Sequence, residues 1–316
     1  MSELVVSLPS DPGLLEAMQN VLQDTPGVRL IEWDVDGPAP EAAIDLVVPP
    51  YWGGARRLAN LASAKVRLVQ WQSIGFNGVG RYVPEGLAFA NAATVHEGST
   101  AELALALTLA SQRGLDTFVR QGDAHNWQLH SLPSLADRRV MILGYGGVGK
   151  AVDARLQGFE VEVTRIARSA RQETGPAGDP VQVYAMSELI DRLSDTEIVI
   201  IGVPLTPDTR GLVGAQELAA LPDGALVVNV ARGPVVDTEA LIAELNSGRL
   251  RAALDVTDPE PLPAEHPLWD CPNLIVTPHV GGDSNAMMPR MTALIRRQIS
   301  RLMANESPEN LIDLAQ

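Results

Sequence analysis

The sequence predicts an α/β protein built from two doubly wound parallel-sheet domains. Short runs rich in Val and Ile alternate with longer segments of helical periodicity, which is the pattern of βα units. The chain has 316 residues, about twice the length of a usual domain. A glycine-rich turn at residues 144–149 follows an apolar strand and precedes most of the second series of βα units. We therefore expect two domains, the second of which binds a dinucleotide.

The first hundred residues predict a small α/β domain. Strands are expected at residues 4–8, 28–33, 44–48 and 67–71, and helices at residues 12–23 and 54–62. The Gly/Pro punctuation between these segments is typical of the loops that join them.

A second series predicts a dinucleotide-binding unit of the Rossmann type. Its strands are expected at residues 140–143, 161–166, 197–201, 225–229, 252–256 and 273–277, with a surface loop at residues 174–180. A long apolar helix, residues 100–112, precedes this series, and an amphipathic helix, residues 285–304, follows it. We expect the chain to leave the first domain and return to it. Residues 1–99 and 284–316 would form a discontinuous, flavodoxin-like substrate domain around an inserted dinucleotide-binding domain, residues 100–283.

Composition and charge exclude several classes of protein. The 46% hydrophobic content and mean hydropathy of +0.05 are those of a globular protein and exclude general disorder. Asp and Glu number 39 against 24 Lys and Arg, and this net charge of −15 argues against binding to nucleic acid or an anionic membrane. The single cysteine, Cys271, cannot form an internal disulfide and fits a reducing compartment. Because the first residues lack a signal-peptide pattern and no apolar stretch is long enough for a bilayer, we expect a cytoplasmic protein.

The glycine turn is the first candidate site. Gly144 permits a tight turn, Gly146 lets backbone amides approach a pyrophosphate, and Gly149 allows close packing of helix on strand. The helix that begins here attracts the anion through its N-terminus. The cofactor-binding residues expected in this segment are Gly144, Tyr145, Gly146, Gly147, Val148 and Gly149.

The end of the next strand indicates which nucleotide is bound. An acidic residue that would hold the adenosine ribose is expected about 20 residues after the motif, but this position is occupied by Arg165, with Arg168 and Arg171 close behind. Arginine can bind a 2′-phosphate, so the sequence favours NADP(H), with NAD(H) possible. The alternative is that these arginines belong to a solvated loop.

Three polar residues follow other strands of the predicted sheet. Arg232, Glu260 and His279 each lie at or just beyond the carboxyl end of a strand, where doubly wound sheets bind their ligands. Each could be structural alone, but together they predict a catalytic site.

Five segments in order resemble the signature segments of the D-isomer-specific 2-hydroxyacid dehydrogenases, in particular the NADP-type glyoxylate/hydroxypyruvate reductases. They are residues 144–149, 203–213, 229–237, 253–262 and 273–281. The resemblance implies that His279 is the acid/base, Glu260 its partner, and Arg232 the residue that orients the substrate. An imidazole titrates near neutral pH, a neighbouring carboxylate favours its charged form, and an arginine fork binds a carboxylate and polarises a carbonyl.

The resemblance also implies further binding residues. Val203 and Pro204 would line the adenosine side, with Thr209 near the phosphates, and Val230, Ala231 and Gly281 would complete the cofactor site. Asp255 would lie near the nicotinamide carboxamide, or else would be a turn residue. In the first domain, Ile74 and Gly75 resemble the loop whose amides bind the substrate carboxylate. Tyr51 and Trp52 would bind substrate, or else complete the core.

The expected function is hydride transfer between NADP(H) and a 2-oxo or D-2-hydroxy acid, mainly in the reductive direction. Reduction of imino acids and oxidation of phosphonates on the same scaffold stay open, whereas Glu260 disfavours formate. A cofactor-sensing transcriptional partner is a non-enzymatic alternative, against which the lack of a basic face argues. The resemblance implies a homodimer, and the helix from Thr100 would fit its interface or an internal core equally well.

Overall fold

The computed structural model describes residues 3–53 and 55–314, which form two compact units. One unit is made from the two chain ends, Met1–His96 and Ser284–Gln316, and the other from the central segment Glu97–Asp283. Each unit contains a largely parallel sheet with helices, so the predicted fold class is confirmed. The assignment of a substrate-binding role to one part of the chain and a dinucleotide-binding role to the other stays a prediction.

The strands of the described residues alternate with helices along most of the chain. In order the strands are β1 (Leu4–Leu8), β2 (Val28–Glu32), β3 (Ala43–Val47), β4 (Lys65–Gln70), β5 (Ala88–Ala90), β6 (Arg139–Leu143), β7 (Glu162–Ala167), β8 (Arg171–Thr174), β9 (Pro180–Ala185), β10 (Ile198–Ile201), β11 (Leu226–Asn229), β12 (Arg251–Leu254) and β13 (Leu274–Val276). The α-helices are α1 (Pro12–Leu22), α2 (Glu97–Gln112), α3 (Leu115–Asp123), α4 (Gly147–Leu156), α5 (Leu189–Leu193), α6 (Ala215–Ala220), α7 (Thr238–Asn246) and α8 (Met287–Met303).

The sheet of the terminal unit has the strand order β2-β1-β3-β4-β5, with every neighbouring pair parallel. This is the flavodoxin order, in which the connection changes direction between β1 and β3 and leaves a ligand site at their carboxyl ends. Helices α1 and α8 pack together on one face, where the apolar stripe of α8 (Met291, Leu294, Ile295, Ile299 and Leu302) is buried. The predicted helix at residues 54–62 is a 3-10 helix, Ala55–Ser63, and Gly54 lies outside the described residues.

The sheet of the central unit has the order β13-β12-β11-β10-β6-β7-β9-β8. All its pairs are parallel except the edge hairpin β8–β9. This hairpin and strand β5 were not predicted, because β5 and β8 are short and the residues of β8 are polar. The chain reverses its direction of travel across the sheet between β6 and β10, which places a ligand crevice beyond their carboxyl ends.

Both faces of the central sheet are covered, which explains its continuous apolar strands. Alternate residues of each strand enter two separate cores, as Met141 and Leu143 enter one and Val140 and Ile142 the other. Helix α2 packs against α4, β11 and β12, burying Ala101, Ala104, Leu105 and Leu107. The apolar helix predicted from Thr100 starts three residues earlier, at Glu97. Because its apolar side chains are buried here, it belongs to the core of this unit. No helix within residues 3–53 and 55–314 is long and apolar enough to cross a bilayer.

Candidate active site

The glycine turn joins β6 to α4 at the centre of the sheet. Gly144 has φ +108°, and a Cβ there would lie 2.7 Å from the backbone of Gly202 and Val203 on the neighbouring β10 connection. A Cβ at Gly149 would lie 2.0 Å from the carbonyl oxygen of Gly144, so only glycine allows α4 to start this close to β6. At Gly146, by contrast, a Cβ would meet nothing within 4 Å. The turn is thus tight on its protein side and open at the helix N-terminus, which is the form that a pyrophosphate requires.

The side chain of Tyr145 points into the protein, so this residue can contact a cofactor mainly through its backbone. Its ring is buried, and its hydroxyl donates a hydrogen bond of 2.6 Å to Asp153 of α4. Burial, together with the neighbouring carboxylate, raises the pKa of Tyr145 to about 12.

Arg165 lies inside strand β7, which continues for two residues beyond it to Ala167. Its Nε and Nη2 donate to the fully buried carboxylate of Asp153 at 2.7 and 2.9 Å, and its Nη1 donates to the carbonyl of Val163. Burial opposes the charge of Arg165, but the hydrogen bond and charge of Asp153 raise its pKa. The guanidinium therefore holds β7 against α4, and its predicted contact with a nucleotide phosphate stays a prediction.

Arg168 is the first residue after β7 and is exposed. Among the described residues no acidic side chain pairs with it. Arg171 lies nearby, where its Nη2 donates to the carbonyl of Tyr145 and its Nε contacts Glu173, which also pairs with Lys150. The carboxyl end of β7 thus carries a basic surface beside the glycine turn.

The segment after β10 forms a closed turn. Val203 is buried and Pro204 is exposed, and the hydroxyl of Thr209 donates to the carbonyl of Pro204 at 2.6 Å. This hydroxyl also accepts a hydrogen bond from the amide of Thr206. Thr209 therefore shapes the loop, and its predicted position near the phosphates stays a prediction.

The side chain of Asn229 shapes the loop that carries Arg232. Asn229 is buried at the end of β11, and its amide group donates to the carbonyl of Arg232 and accepts from the amide of Ala231. Val230 and Ala231 are buried in this turn. The next residue, Gly233, touches the loop after β12: a Cβ at Gly233 would lie 1.8 Å from the carbonyl oxygen of Thr257. This close approach brings the Arg232 loop against the loop that carries Glu260.

Glu260 and His279 form a hydrogen-bonded pair. Nδ1 of His279 lies 2.5 Å from Oε1 of Glu260, and both side chains are partly exposed. Burial by itself would raise the pKa of Glu260. The hydrogen bond and charge of His279, with the charge of Arg232, outweigh burial and hold that pKa below its ordinary value. The sequence predicted these three residues, and the structure brings them together at the carboxyl ends of β11, β12 and β13.

Asp255 holds the segment that carries His279. Its buried carboxylate accepts hydrogen bonds from the hydroxyl of Thr277 at 2.6 Å and from the amides of Val280 and Gly281 at 2.9 Å each. Its carbonyl accepts from the amide of His279, whose backbone is left-handed with φ 55°. A left-handed non-glycine residue costs about 1–3 kcal/mol and persists only where its surroundings enforce it. Asp255 is thus a turn residue in this structure, and its predicted contact with the nicotinamide stays a prediction.

In the terminal unit, the loop after β4 has hydrogen-bonded carbonyl groups and two backbone amides that are left to bind a ligand. The carbonyls of Gln72, Ile74 and Gly75 are hydrogen-bonded by the side chains of His96, Asn91 and Trp71, respectively. Among the described residues none accepts a hydrogen bond from the amide of Ile74 or Gly75. Successive unpaired amides of this kind form a site for an anion. Tyr51 and Trp52 follow the neighbouring strand β3.

Three residues that organise these sites were not predicted as site residues. Asn229 and Gly233 shape the Arg232 loop, and Asp153 pairs with Arg165. The sequence contained a signal for Asp153, which lies on the same face of α4 as Val152 and Leu156. A charged residue on an apolar helix face is expected to be paired when it is buried. The roles of Asn229 and Gly233 depend on the approach of two loops that are distant in sequence.

The arrangement in the central unit suits proton transfer to a carbonyl oxygen. Because Nδ1 of His279 faces Glu260, its Nε2 is the ring nitrogen that remains to exchange a proton. Arg232 supplies a fixed positive charge close enough to Glu260 to lower its pKa.

Comparison with known proteins identifies the family. The sequence model described as "D-isomer specific 2-hydroxyacid dehydrogenase, NAD binding domain" matches residues 105–281. A glyoxylate reductase of Thermofilum pendens is 30% identical over 263 residues, which cover 80% of this chain and 76% of that protein. An uncharacterised protein of Corynebacterium melassecola is 31% identical over 258 residues, covering 79% and 83%.

Solved structures agree with this match. A D-isomer specific 2-hydroxyacid dehydrogenase from Xanthobacter autotrophicus, in complex with NADPH and MES, is 29% identical with a TM-score of 0.80 and covers 100% of this chain and 99% of its own. The NADPH-dependent glyoxylate/hydroxypyruvate reductase from Sinorhizobium meliloti, in complex with NADP and sulfate, is 26% identical with a TM-score of 0.81 and covers 99% of both chains. The chain therefore belongs to the D-isomer specific 2-hydroxyacid dehydrogenase family, as its sequence motifs predicted.

Proposed function

We propose that this NAD(P)-dependent oxidoreductase prefers NADPH and works mainly as a 2-oxo acid reductase. The observation that carries the proposal is the hydrogen-bonded pair of His279 and Glu260, beside the charge of Arg232, on the sheet that also carries the open glycine turn. A proton donor, a fixed cation and a dinucleotide site on one sheet edge are what carbonyl reduction needs. Small 2-oxo or 2-hydroxy acids are the substrates proposed.

The residues of the glycine turn fit a dinucleotide. The open space at Gly146 and the close approach at Gly149 leave the N-terminus of α4 accessible to a pyrophosphate. When bound, the nicotinamide supplies or accepts the hydride at the substrate carbon. We assign the 2′-phosphate to Arg168, because it is exposed at the end of β7 and no acidic residue occupies that position. The NADPH and NADP complexes of the two structural relatives support this preference.

The three polar residues receive distinct roles. Nε2 of the protonated His279 donates a proton to the carbonyl oxygen during reduction and accepts it back during oxidation. Glu260 holds the ring through Nδ1 and stabilises its charged form. Arg232 polarises the carbonyl and orients the substrate. The amides of Ile74 and Gly75, which donate to no other described residue, bind the substrate carboxylate.

We also propose a homodimer that works in the cytoplasm. The segment that follows α3 exposes several large apolar side chains. They include Trp127, which is 92% exposed, and Leu129, which is 89% exposed. A second copy of the chain would cover such a surface. Size-exclusion chromatography with light scattering is expected to give twice the chain mass for the wild type and the single chain mass for a Trp127→Glu, Leu129→Glu variant. A monomeric wild type would contradict the dimer.

Assays of reduced nicotinamide oxidation test the reaction and the cofactor. We expect NADPH to be oxidised with at least one of glyoxylate, hydroxypyruvate, pyruvate and phenylpyruvate, and NADH to be oxidised more slowly. Absence of oxidation with every 2-oxo acid would overturn the proposed reaction, and faster turnover with NADH would overturn the cofactor preference.

Substitution of Arg168 tests the phosphate contact. Because an ionic hydrogen bond is lost, Arg168→Ala is expected to raise the Kd for NADPH about tenfold and to leave the Kd for NADH unchanged. Arg155→Ala is the matched control, since Arg155 contacts only the backbone carbonyl of Ala151 among the hydrogen bonds described for it. Equal losses for both nucleotides would show that Arg168 has no role in their discrimination.

A further inference from the structure

An exposed tryptophan lies at the ligand-binding edge of the terminal unit. Trp52 follows β3, at the point where the sheet order changes direction between β1 and β3, and 68% of its surface is exposed. Its ring therefore offers a large apolar face to a ligand at this edge. The position is the one at which a flavodoxin-like sheet binds its ligands.

Trp52 is held in place by two further rings. Its ring packs against Tyr51 in a T-shaped arrangement, with ring centroids 4.8 Å apart and an angle of 75° between the planes. Tyr51 in turn stacks on the buried ring of His96, with centroids 5.7 Å apart at 22°. The arrangement is an aromatic ladder of Trp52, Tyr51 and His96, which fixes the orientation of its exposed member.

The aromatic ladder is joined to the loop that presents the free amides. A ring nitrogen of His96 lies 2.6 Å from the carbonyl oxygen of Gln72, two residues before Ile74. The side-chain amide of Gln72 donates to the carbonyl of Pro49, two residues before Tyr51. These bonds tie the segment after β3 to the segment after β4, so the anion site and the aromatic ladder form one rigid edge.

We infer that Trp52 binds the side chain of the substrate, and that the protein selects 2-oxo acids with an aromatic or bulky apolar side chain. The inference rests on the proposed function, in which the amides of Ile74 and Gly75 bind the substrate carboxylate. A flat apolar group attached to that 2-oxo acid can stack on Trp52 and exclude water from both faces. Glyoxylate has no side chain and gains nothing from this surface, although relatives of this chain carry the name glyoxylate reductase.

A substrate series tests this inference in the full-length protein. With NADPH present, kcat/KM is measured for glyoxylate, pyruvate, 4-methyl-2-oxopentanoate and phenylpyruvate. We expect kcat/KM for phenylpyruvate to exceed that for glyoxylate by about tenfold or more, because apolar side-chain contacts discriminate on this scale.

Variants at position 52 give the residue-specific test. Trp52→Ala is expected to lower the ratio of kcat/KM for phenylpyruvate to that for glyoxylate about tenfold, mainly through KM for phenylpyruvate, whereas Trp52→Phe keeps most of the preference. The matched control is Trp269→Ala, which removes an exposed tryptophan of the central unit and is expected to leave the ratio between the two substrates unchanged.

The possible outcomes separate the inference from the proposed function. Reduction of 2-oxo acids with glyoxylate preferred, or an equal loss for both substrates in Trp52→Ala, would overturn the aromatic selectivity while the reductase activity stands. Absence of turnover with every 2-oxo acid would instead overturn the proposed function on which the inference rests.

Discussion

Nδ1 of His279 lies 2.5 Å from Oε1 of Glu260, and the backbone amide of the same histidine is bonded to the carbonyl of Asp255. The imidazole is therefore fixed through its ring and through its backbone. Both partners come from the segment after β12, which places the proton-exchanging group beyond the carboxyl end of the sheet.

The pH dependence of reduction tests the role of Glu260. Burial would raise its pKa, but the hydrogen bond and charge of His279, with the charge of Arg232, lower it below the ordinary value of 4.5. A depressed carboxyl pKa means that the pair is intact at neutral pH and is lost only as the pH falls through that lowered pKa. We expect wild-type kcat for 2-oxo acid reduction to hold down to pH values below the usual carboxyl range.

The variant Glu260→Gln removes this titration. Because the amide cannot stabilise a charged imidazole, kcat is expected to fall by at least about tenfold near neutral pH, and the acid limb of the wild-type profile should be absent. Steady-state rates measured from neutral pH down to pH values below the usual carboxyl range report both effects. A variant with the wild-type profile and kcat would contradict the assigned partnership.

Asp255→Asn tests the support of the His279 loop. The carboxylate accepts three hydrogen bonds, from Thr277, Val280 and Gly281, and an amide group cannot accept all of them. Leaving a buried donor without an acceptor costs about 1–3 kcal/mol, so we expect a lower free energy of unfolding together with a lower kcat. Denaturant unfolding and steady-state kinetics measure these effects, and unchanged values for both would show that the loop does not depend on Asp255.

Gly233→Ala tests the contact between the Arg232 and Glu260 loops. The new methyl group would lie 1.8 Å from the carbonyl oxygen of Thr257, so one loop must move. We expect the free energy of unfolding to fall by about 1–3 kcal/mol and kcat/KM to decrease. Gly158→Ala is the control, since a Cβ there meets nothing within 4 Å. Equal changes in the free energy of unfolding and in kcat/KM for the two variants would show that neither stability nor activity depends on the close approach at Gly233.

The βα pattern and the residues at strand ends were readable from the sequence. Short Val/Ile-rich runs predicted most of the parallel strands, and the motifs predicted Arg232, Glu260 and His279, which the structure brings together. These signals are local, because each depends on composition or on spacing within one segment. The edge strand β8 lacked such a signal, because its residues are polar and it is stabilised by pairing with β9.

The contacts that orient the site could not be read from the sequence. Arg165 has the residue type that a nucleotide phosphate requires, yet its guanidinium pairs with Asp153, which lies 12 residues earlier on α4. Similarly, the role of Asp255 depends on three donors more than 20 residues away. Tertiary packing decides which charged side chains pair with each other. The spacing of residues along the sequence does not reveal this packing.

The turnover of His279→Gln is the most direct test of the proposed mechanism. The measurement combines steady-state kcat for 2-oxo acid reduction with the Kd for NADPH, obtained from nucleotide fluorescence. Because the proton donor is removed while the glycine turn is untouched, we predict that kcat falls roughly 10²- to 10⁴-fold and that the Kd for NADPH stays unchanged. Near-normal turnover in this variant would show that another group donates the proton and would contradict the mechanism.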